Sequence, residues 1–359
     1  MDRGYIYVNK TNLINNIKYL KNISNKEICL VVKANAYGHG IEWAVRNAMQ
    51  AGVSWFAVAS IQEGIHARKI SKNIRILLLS EPSKDEISSL WKNNLDITVY
   101  NENFINSLIN YKKPFNVHLK VDTGMHRVGC EPVQFQTLVE KINTSELNLT
   151  GICTHFPTSE TDTKHTKSAI SIFKNLLKPL DIENLVIHVD NSASTFYNLD
   201  STFNLSRVGI AAYGIYKSIP NIEHELKPTM AIKTRISNLQ FRKKGDAVSY
   251  GKIFTLMRDS IIATAPIGYG DGYPWNSFPD GKVIVQNNFC NLVGRVTMDQ
   301  IMFDVTDLSA SIGDEVIILG SSNDDKLKIT VSDIAKWNKT IEWEILTNMS
   351  LRLERYEIE

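Results

Sequence analysis

From Glu27 to about Ile210 the chain alternates between short apolar or β-branched runs and stretches where apolar residues recur at three- and four-residue spacing. The short runs are Ile28–Val32, Trp55–Ala59, Ile74–Leu79, Asp96–Val99, Phe115–Val121, Leu149–Thr154, Leu185–Val189 and Leu205–Ile210, eight candidate strands. The spaced stretches predict helices over Ile41–Ala51, from a Ser60-x-x-Glu63 capping box to about Lys69, and over Pro132–Ile142. Thr11–Leu20 reads as a helix ahead of the first strand. Strands that alternate with helices pair in parallel through right-handed crossovers. Eight such units predict a closed (β/α)8, TIM-like barrel rather than an open doubly wound sheet.

The pattern changes near Lys227-Pro228. Ala231–Leu239, Ser260–Ala265, Lys282–Val285, Gln300–Val305 and Glu315–Leu319 are strand-like, and Lys244-Gly245-Asp246 and Pro279-Asp280-Gly281 between them are turn signals. One late helix is expected near Val331–Trp337. The expected division is therefore a barrel over 1–228 and a mostly β C-terminal domain over 229–359, with the chain's first residues able to pair with the β domain. A length of 359 residues accommodates both, since a barrel alone takes about 200–250.

Composition removes several function classes. Hydrophobic residues make up 43% and charged residues 22%, which excludes wholesale disorder. Forty Lys and Arg against 38 Asp and Glu give a net charge of +2, no general attraction to nucleic acid or to an anionic membrane. No apolar run approaches the ~18–20 residues of a membrane span. Met1-Asp2-Arg3-Gly4-Tyr5 lacks the charged-then-apolar layout of a leader, so a cytoplasmic protein is expected. Cys29, Cys130, Cys153 and Cys290 lie far apart, as buried reduced thiols would.

Barrel enzymes carry their chemistry where the strands end. The first strand runs into Lys33-Ala34-Asn35-Ala36-Tyr37-Gly38, the fifth into Lys120-Val121-Asp122-Thr123-Gly124-Met125-His126-Arg127. The sixth ends at His155, the seventh at His188-Val189-Asp190-Asn191-Ser192, and the eighth carries Arg207-Val208-Gly209-Ile210. A lysine in a desolvated barrel mouth loses its proton more easily and becomes a nucleophile. It can equally snorkel to the rim. Lys120 and Arg127 suggest a bound carboxylate, or ion pairs with Asp122. A nucleophilic lysine, an arginine, and a phosphate site at strands seven and eight outline a pyridoxal-phosphate pocket. The rival is a metal-hydrolase barrel using His155 and His188, although the sequence has no H-x-H pair and no H-E-x-x-H.

Val31–Gly40, read V-V-K-A-N-A-Y-G-H-G, resembles the cofactor-lysine signature of bacterial alanine racemases. Lys120–Gly129, Gly151–Phe156, Asn191–Ala193, Arg207–Gly214, Val248–Gly251, Pro266–Pro274 and Gly294–Gln300 follow the same family in order, over nearly the whole chain. The resemblance implies interconversion of L-alanine and D-alanine, with D-alanine destined for peptidoglycan, by a homodimer with shared active sites. It implies that Lys33 carries pyridoxal 5′-phosphate as a Schiff base and is one base, while Tyr250 from the other subunit is the second. It implies that Arg207 bonds the pyridine nitrogen with His155 behind it, and that Tyr37, Ser192, Gly209 and Ile210 hold the phosphate. Arg127 sits near the cofactor hydroxyl and, with the Met298 N–H, meets the substrate carboxylate, Lys120 matches a position often carbamylated to brace that arginine, and Tyr269 and Asp299 line the entrance. No metal is implied.

Four positions depart from the family pattern. Thr340-Ile341-Glu342-Trp343-Glu344 has Trp343 where the family has tyrosine, and Trp275 stands where a basic residue closes the Gly-Tyr-x-Asp-Gly-Tyr-Pro-Arg run. His126 replaces a glycine and Thr297 a cysteine. None touches the two-base pair, so these changes bear on substrate range. The alternatives are a racemase of the same fold that prefers serine, a related barrel decarboxylase, and a non-enzymatic pyridoxal-phosphate carrier. The absence of a Gly-Gly dipeptide counts against the decarboxylase, and the second domain with Tyr250 against the carrier.

Overall fold

A buried strand covered on both faces needs apolar residues at every position rather than every second one. Trp55–Val58, apolar and buried throughout, shows this in the computed structural model, which describes residues 3–197, 202–216 and 225–359; Asp96–Val99 is buried throughout as well, its aspartate bonded by Arg75 and Asn116. Met1 and Asp2, the start of the segment read for a leader, lie outside the described residues. The chain divides into two compact units, one of 12–36 and 41–227, the other of 1–11, 37–40 and 228–359.

The first unit holds eight parallel strands, Glu27–Val31, Trp55–Val58, Arg75–Leu78, Asp96–Val99, Asn116–Lys120, Asn148–Cys153, Val186–His188 and Leu205–Val208. Neighbours pair in chain order, and Leu205–Val208 returns to lie beside Glu27–Val31. The ring closes through Asn204 N–H to Ile187 O at 3.0 Å and Arg207 N–H to Asp190 O at 3.2 Å. The expected barrel is thus the observed one. Its crossovers carry the expected helices Ile41–Gln50 and Ile61–Ile70, the latter opened by the Ser60–Glu63 capping box. Pro132–Gln134 forms a 3₁₀ turn that leads into a helix over Phe135–Asn143. The helix ahead of the first strand is longer than expected, Lys10–Ser24. In the seventh crossover the described residues hold a 3₁₀ turn, Ser194–Tyr197, where the side chain of Asn191 accepts from Ala193 and Ser194 N–H.

The second unit is built on a seven-stranded sheet in the order Asn288–Asn291, Lys282–Val285, Glu315–Ser321, Met230–Arg235, Tyr5–Asn9, Glu354–Ile358, with Lys328–Ile329 off Glu315–Ser321. Ile6 and Ile232, register partners there, are fully buried. A three-stranded sheet (Asn238–Arg242, Ser260–Ala265, Ile301–Asp304) and a short hairpin (Ala247–Val248 with Phe254–Thr255) complete the β structure. The single strand expected over Ala231–Leu239 is two, broken where Ile236 N–H turns to Asp314 O and Ser237 N–H to Thr264 O. Apolar alternation runs through this corner because Ile236 stays buried, so the sequence pattern is blind to the change of sheet. Helices Val331–Asn338 and Glu342–Thr347 follow. Among the described residues no helix is long and apolar enough to cross a membrane.

Candidate active site

Lys33 stands just past the end of the first barrel strand, and the backbone after it is left-handed. Ala34, Asn35, Ala36 and Tyr37 have φ of 51, 53, 54 and 52°. L-residues resist that conformation by about 1–2 kcal/mol each. Local bonds hold it: Ala34 N–H donates to Glu63 Oε1 at 2.6 Å, Ile41 N–H to Asn35 Oδ1 at 2.9 Å, and Ala36 N–H to Val32 O at 2.8 Å. The other Glu63 oxygen accepts from Ala59 and Ser60 N–H, so one carboxylate starts a helix and fixes the lysine loop. Sequence reasoning treated Glu63 as a cap alone. The Lys33 amine is held below the usual lysine range by burial and then by Arg127, with Glu63 opposing. Lys120, nearly fully buried, is lowered chiefly by its own burial.

Asp122 neutralises neither of its basic neighbours: its Oδ1 accepts from the Gly124 and Met125 N–H groups, and Arg127 forms no ion pair among the described residues. The arginine is exposed and available to an anion.

Arg207 is buried and gives five bonds through its two Nη groups. They run to His188 Nδ1 and His188 O at 2.7 Å, Thr154 O at 2.9 Å, Val189 O at 3.2 Å and His155 Nδ1 at 3.3 Å. Arginine only donates, so both imidazole Nδ1 atoms must be bare acceptors. His188 then carries its proton on Nε2 and donates to His118 Nδ1 at 2.7 Å. His118 in turn carries its own on Nε2, which has no partner among the described residues. Burial first, and then neighbouring arginines, pushes His118 down to about 3. His155 is also pushed to about 3, by burial and then Arg207, Lys120, Arg127 and Lys33, and His188 lies well below the usual range. The Nδ1 lone pairs that a metal-hydrolase reading would use are thus occupied by a guanidinium. The Arg207 Nε–H is left over as a donor.

Lys26 and Asp190, both buried, pair at 2.8 Å, and Ser206 Oγ donates to the same aspartate oxygen. Just beyond Asp190, Ser192 Oγ accepts from Gly209 N–H at 3.0 Å and Ala211 N–H at 3.4 Å. The Gly209 N–H is thus already bonded, whereas the Ile210 N–H has no partner among the described residues. His118, missed entirely by sequence reasoning, sits in the alternating run Phe115-Asn116-Val117-His118-Leu119-Lys120-Val121, where it reads as an ordinary polar position of a half-buried strand although it is buried. Gly151 offered one in hindsight: a Cβ there would lie 2.4 Å from His118 Nδ1.

The second unit contributes the remaining candidates. Tyr250 is 72% exposed at the tip of the Ala247–Thr255 hairpin, where Ser249 and Gly251 have φ of 66 and 74°. It projects rather than packs as a strand aromatic would. Ser249 Oγ donates to Arg295 O at 2.9 Å, and the Arg295 guanidinium lies 4.8 Å from the Trp275 ring centre. Tyr269 N–H donates to Thr297 O, which ties the Tyr269 turn to the Met298–Asp299 turn. Tyr37 is buried, with its phenol pushed up by that burial, and its carbonyl accepts from His39 Nδ1 at 3.0 Å. Trp343 lies half-buried on the Glu342–Thr347 helix.

Comparisons with known proteins agree across the chain. The family profile "Alanine racemase, N-terminal domain" matches residues 8–217, and "Alanine racemase, C-terminal domain" matches residues 229–357. The alanine racemase of Treponema denticola is 38% identical, over 97% of this chain and 96% of that protein. The crystal structure of alanine racemase from E. faecalis superposes with a TM-score of 0.94 at 28% identity, covering 99% of this chain and 98% of that one. A histidine racemase from Leuconostoc mesenteroides shares the fold, with a TM-score of 0.91 at 26% identity over 100% and 98% of the two chains.

Proposed function

The chain belongs to the alanine racemase family and is an isomerase of L-alanine and D-alanine; on that premise we propose a two-base reaction with pyridoxal 5′-phosphate, run by Lys33 and Tyr250. The observation that carries it is the Lys33 amine at the end of the first barrel strand, held below the usual lysine range by burial and by Arg127, so that it gives up its proton more easily. The residues present fit the cofactor: a desolvated amine for its carbonyl, the spare Arg207 Nε–H for its ring nitrogen, and Ser192, Ile210 and Tyr37 for its phosphate. Gly209 shapes the same loop by presenting its N–H to Ser192. When bound, the cofactor supplies a sink for the electron pair left by the departing α-proton.

Racemisation requires a proton to leave one face of the α-carbon and another to return on the opposite face, so two bases are needed. Lys33 Nζ serves one face and Tyr250 Oη the other, the tyrosine coming from the second subunit of a homodimer. Arg207 offers the ring nitrogen a hydrogen bond and no proton of its own. His188 and His155, with His118 bonded behind His188, keep its Nη groups engaged and leave Nε for the ring nitrogen. Arg127 and the Met298 N–H receive the substrate carboxylate, Lys120 braces Arg127 once carbamylated, and Tyr269, Asp299 and Trp343 form the entrance. A cytoplasmic site of action, feeding D-alanine to peptidoglycan, completes the reading.

Two measurements test it. Borohydride should fix the cofactor covalently on the peptide that contains Lys33; a label elsewhere overturns that assignment. Lys33→Ala and Tyr250→Phe should each lose most activity alone. Co-refolded, they should recover up to about a quarter of the parental rate, since half the dimers are mixed and each has one intact site. Mixed dimers without recovery would refute the shared site.

A further inference from the structure

Around the Met298 turn, the entrance residue Asp299 is joined to three charged residues that the scheme above leaves unused, Arg3, Asp271 and Arg352. The Asp271 side chain is fully buried. Its carboxylate accepts from Gly268 N–H at 2.9 Å, from Arg3 Nε at 3.0 Å and Nη2 at 2.6 Å, and meets Arg352 Nε at 3.3 Å. Burying a carboxylate is tolerable only with such a full complement of donors. From this anchor both guanidiniums extend to Asp299. Arg352 Nη2 donates to its Oδ1 at 2.6 Å, and Arg3 Nη2 to Oδ1 and to the backbone carbonyl at 3.2 Å each. Hydrogen bonding to Arg352, then the charges of both arginines, holds the Asp299 carboxyl below the usual aspartate range.

The backbone locks the same two turns together. Tyr269 N–H donates to Thr297 O at 3.0 Å and Gly270 N–H to Met298 O at 2.9 Å. A Cβ on Gly268 would stand 2.3 Å from Thr297 O, and one on Gly270 2.3 Å from Arg352 Nη1. The Met298 N–H itself has no partner among the described residues.

An amino-acid carboxylate that approaches the Met298 N–H also approaches the next residue's carboxylate, and like charges at that range repel. We propose that Arg3 and Arg352, anchored on buried Asp271, are positioning residues for the substrate carboxylate: they bind and neutralise Asp299 and so leave the adjacent Met298 N–H open to the anion of an α-amino acid. The inference rests on Met298 as the carboxylate donor. It makes Arg3, a residue remote in sequence from every catalytic motif, part of substrate recognition.

The experiment is a double-mutant cycle on the cofactor-loaded enzyme. It reads KM and kcat for L-alanine, together with calorimetric binding of propionate, a carboxylate without an amino group. Arg3→Gln should raise KM and weaken propionate by about tenfold, with kcat within about twofold. Arg3→Lys, which keeps the charge but not the fork that spans Asp271 and Asp299, should fall between the parent and Arg3→Gln, and Arg352→Gln should repeat the Arg3→Gln effect as an independent arm. In an Asp299→Asn background there is no charge left to neutralise, so Arg3→Gln should cost little. A tenfold penalty that persists in that background would overturn the proposal, as would parental KM and propionate affinity in folded Arg3→Gln. If the parent does not racemise alanine, the family reading fails separately, and the propionate arm still judges the clamp.

Discussion

At Lys33 the local sequence and the local backbone disagree. Ala-Asn-Ala-Tyr carries no residue that favours positive φ except Asn35, and yet four consecutive residues adopt it. The lysine's importance was legible from its segment, whereas the handedness of the turn was not. Propensity reports whether a residue tolerates a helix, and the left-handed turn is imposed by Glu63 and Asn35 from outside that scale. His126 shows the same tension with less compensation. Its φ is 53°, its side chain is 84% exposed, and the nearest carboxylate oxygen, on Asp122, is 3.8 Å away. A glycine, which the family pattern has at this point, takes that conformation freely. His126→Gly should therefore stabilise the protein by about 0.5–1 kcal/mol, read as a higher urea midpoint at unchanged slope. A lower midpoint would mean that the imidazole makes a contact worth more than the strain.

At the scale of elements, the barrel strands were legible to within a residue or two because parallel strands are buried on both faces, and an unbroken apolar run has few other readings. The same logic hid the polar file running from Arg207 through His188 to His118. His188 ends the apolar strand Val186–His188 and His118 takes a polar place in the alternating strand Asn116–Lys120, and only the fold sets them in line. Their protonation gives the fold a pH dependence whose sign can be worked out. His118 and His155 stay neutral in the folded protein down to about 3, while the unfolded chain takes up protons near the ordinary 6.5. Between those values the unfolded state binds more protons, so stability is present in full above 6.5 and falls as the pH drops. Melting temperatures should decline between pH 6.5 and 5, above the carboxylate range. A flat profile there would show that the histidines titrate normally.

Over the whole molecule, the mostly β character of the second half was readable, but not the place of the first strand within it. Tyr5–Asn9 lies between Met230–Arg235, its antiparallel neighbour, and Glu354–Ile358, its parallel one. Nothing in a short alternating run says which distant strand it will join. Asn9 Nδ2 donates to Glu359 O at 2.6 Å, so the two ends of the described chain meet across this sheet. Removing Glu354–Glu359 should lower the melting temperature and expose the Tyr5–Asn9 amides to hydrogen exchange, with the barrel strands still protected. Equal loss of protection in both units would mean that they unfold as one. The arrangement also has a consequence in time. On a ribosome Glu354–Ile358 is synthesised roughly 350 residues after its neighbour Tyr5–Asn9, and at about 5–20 residues per second the wait is on the order of half a minute. The barrel segment emerges in between and is free to fold. Ile6 and Val8 must meanwhile stay out of its way and out of reach of other nascent chains, so a strand made before the barrel is placed after it.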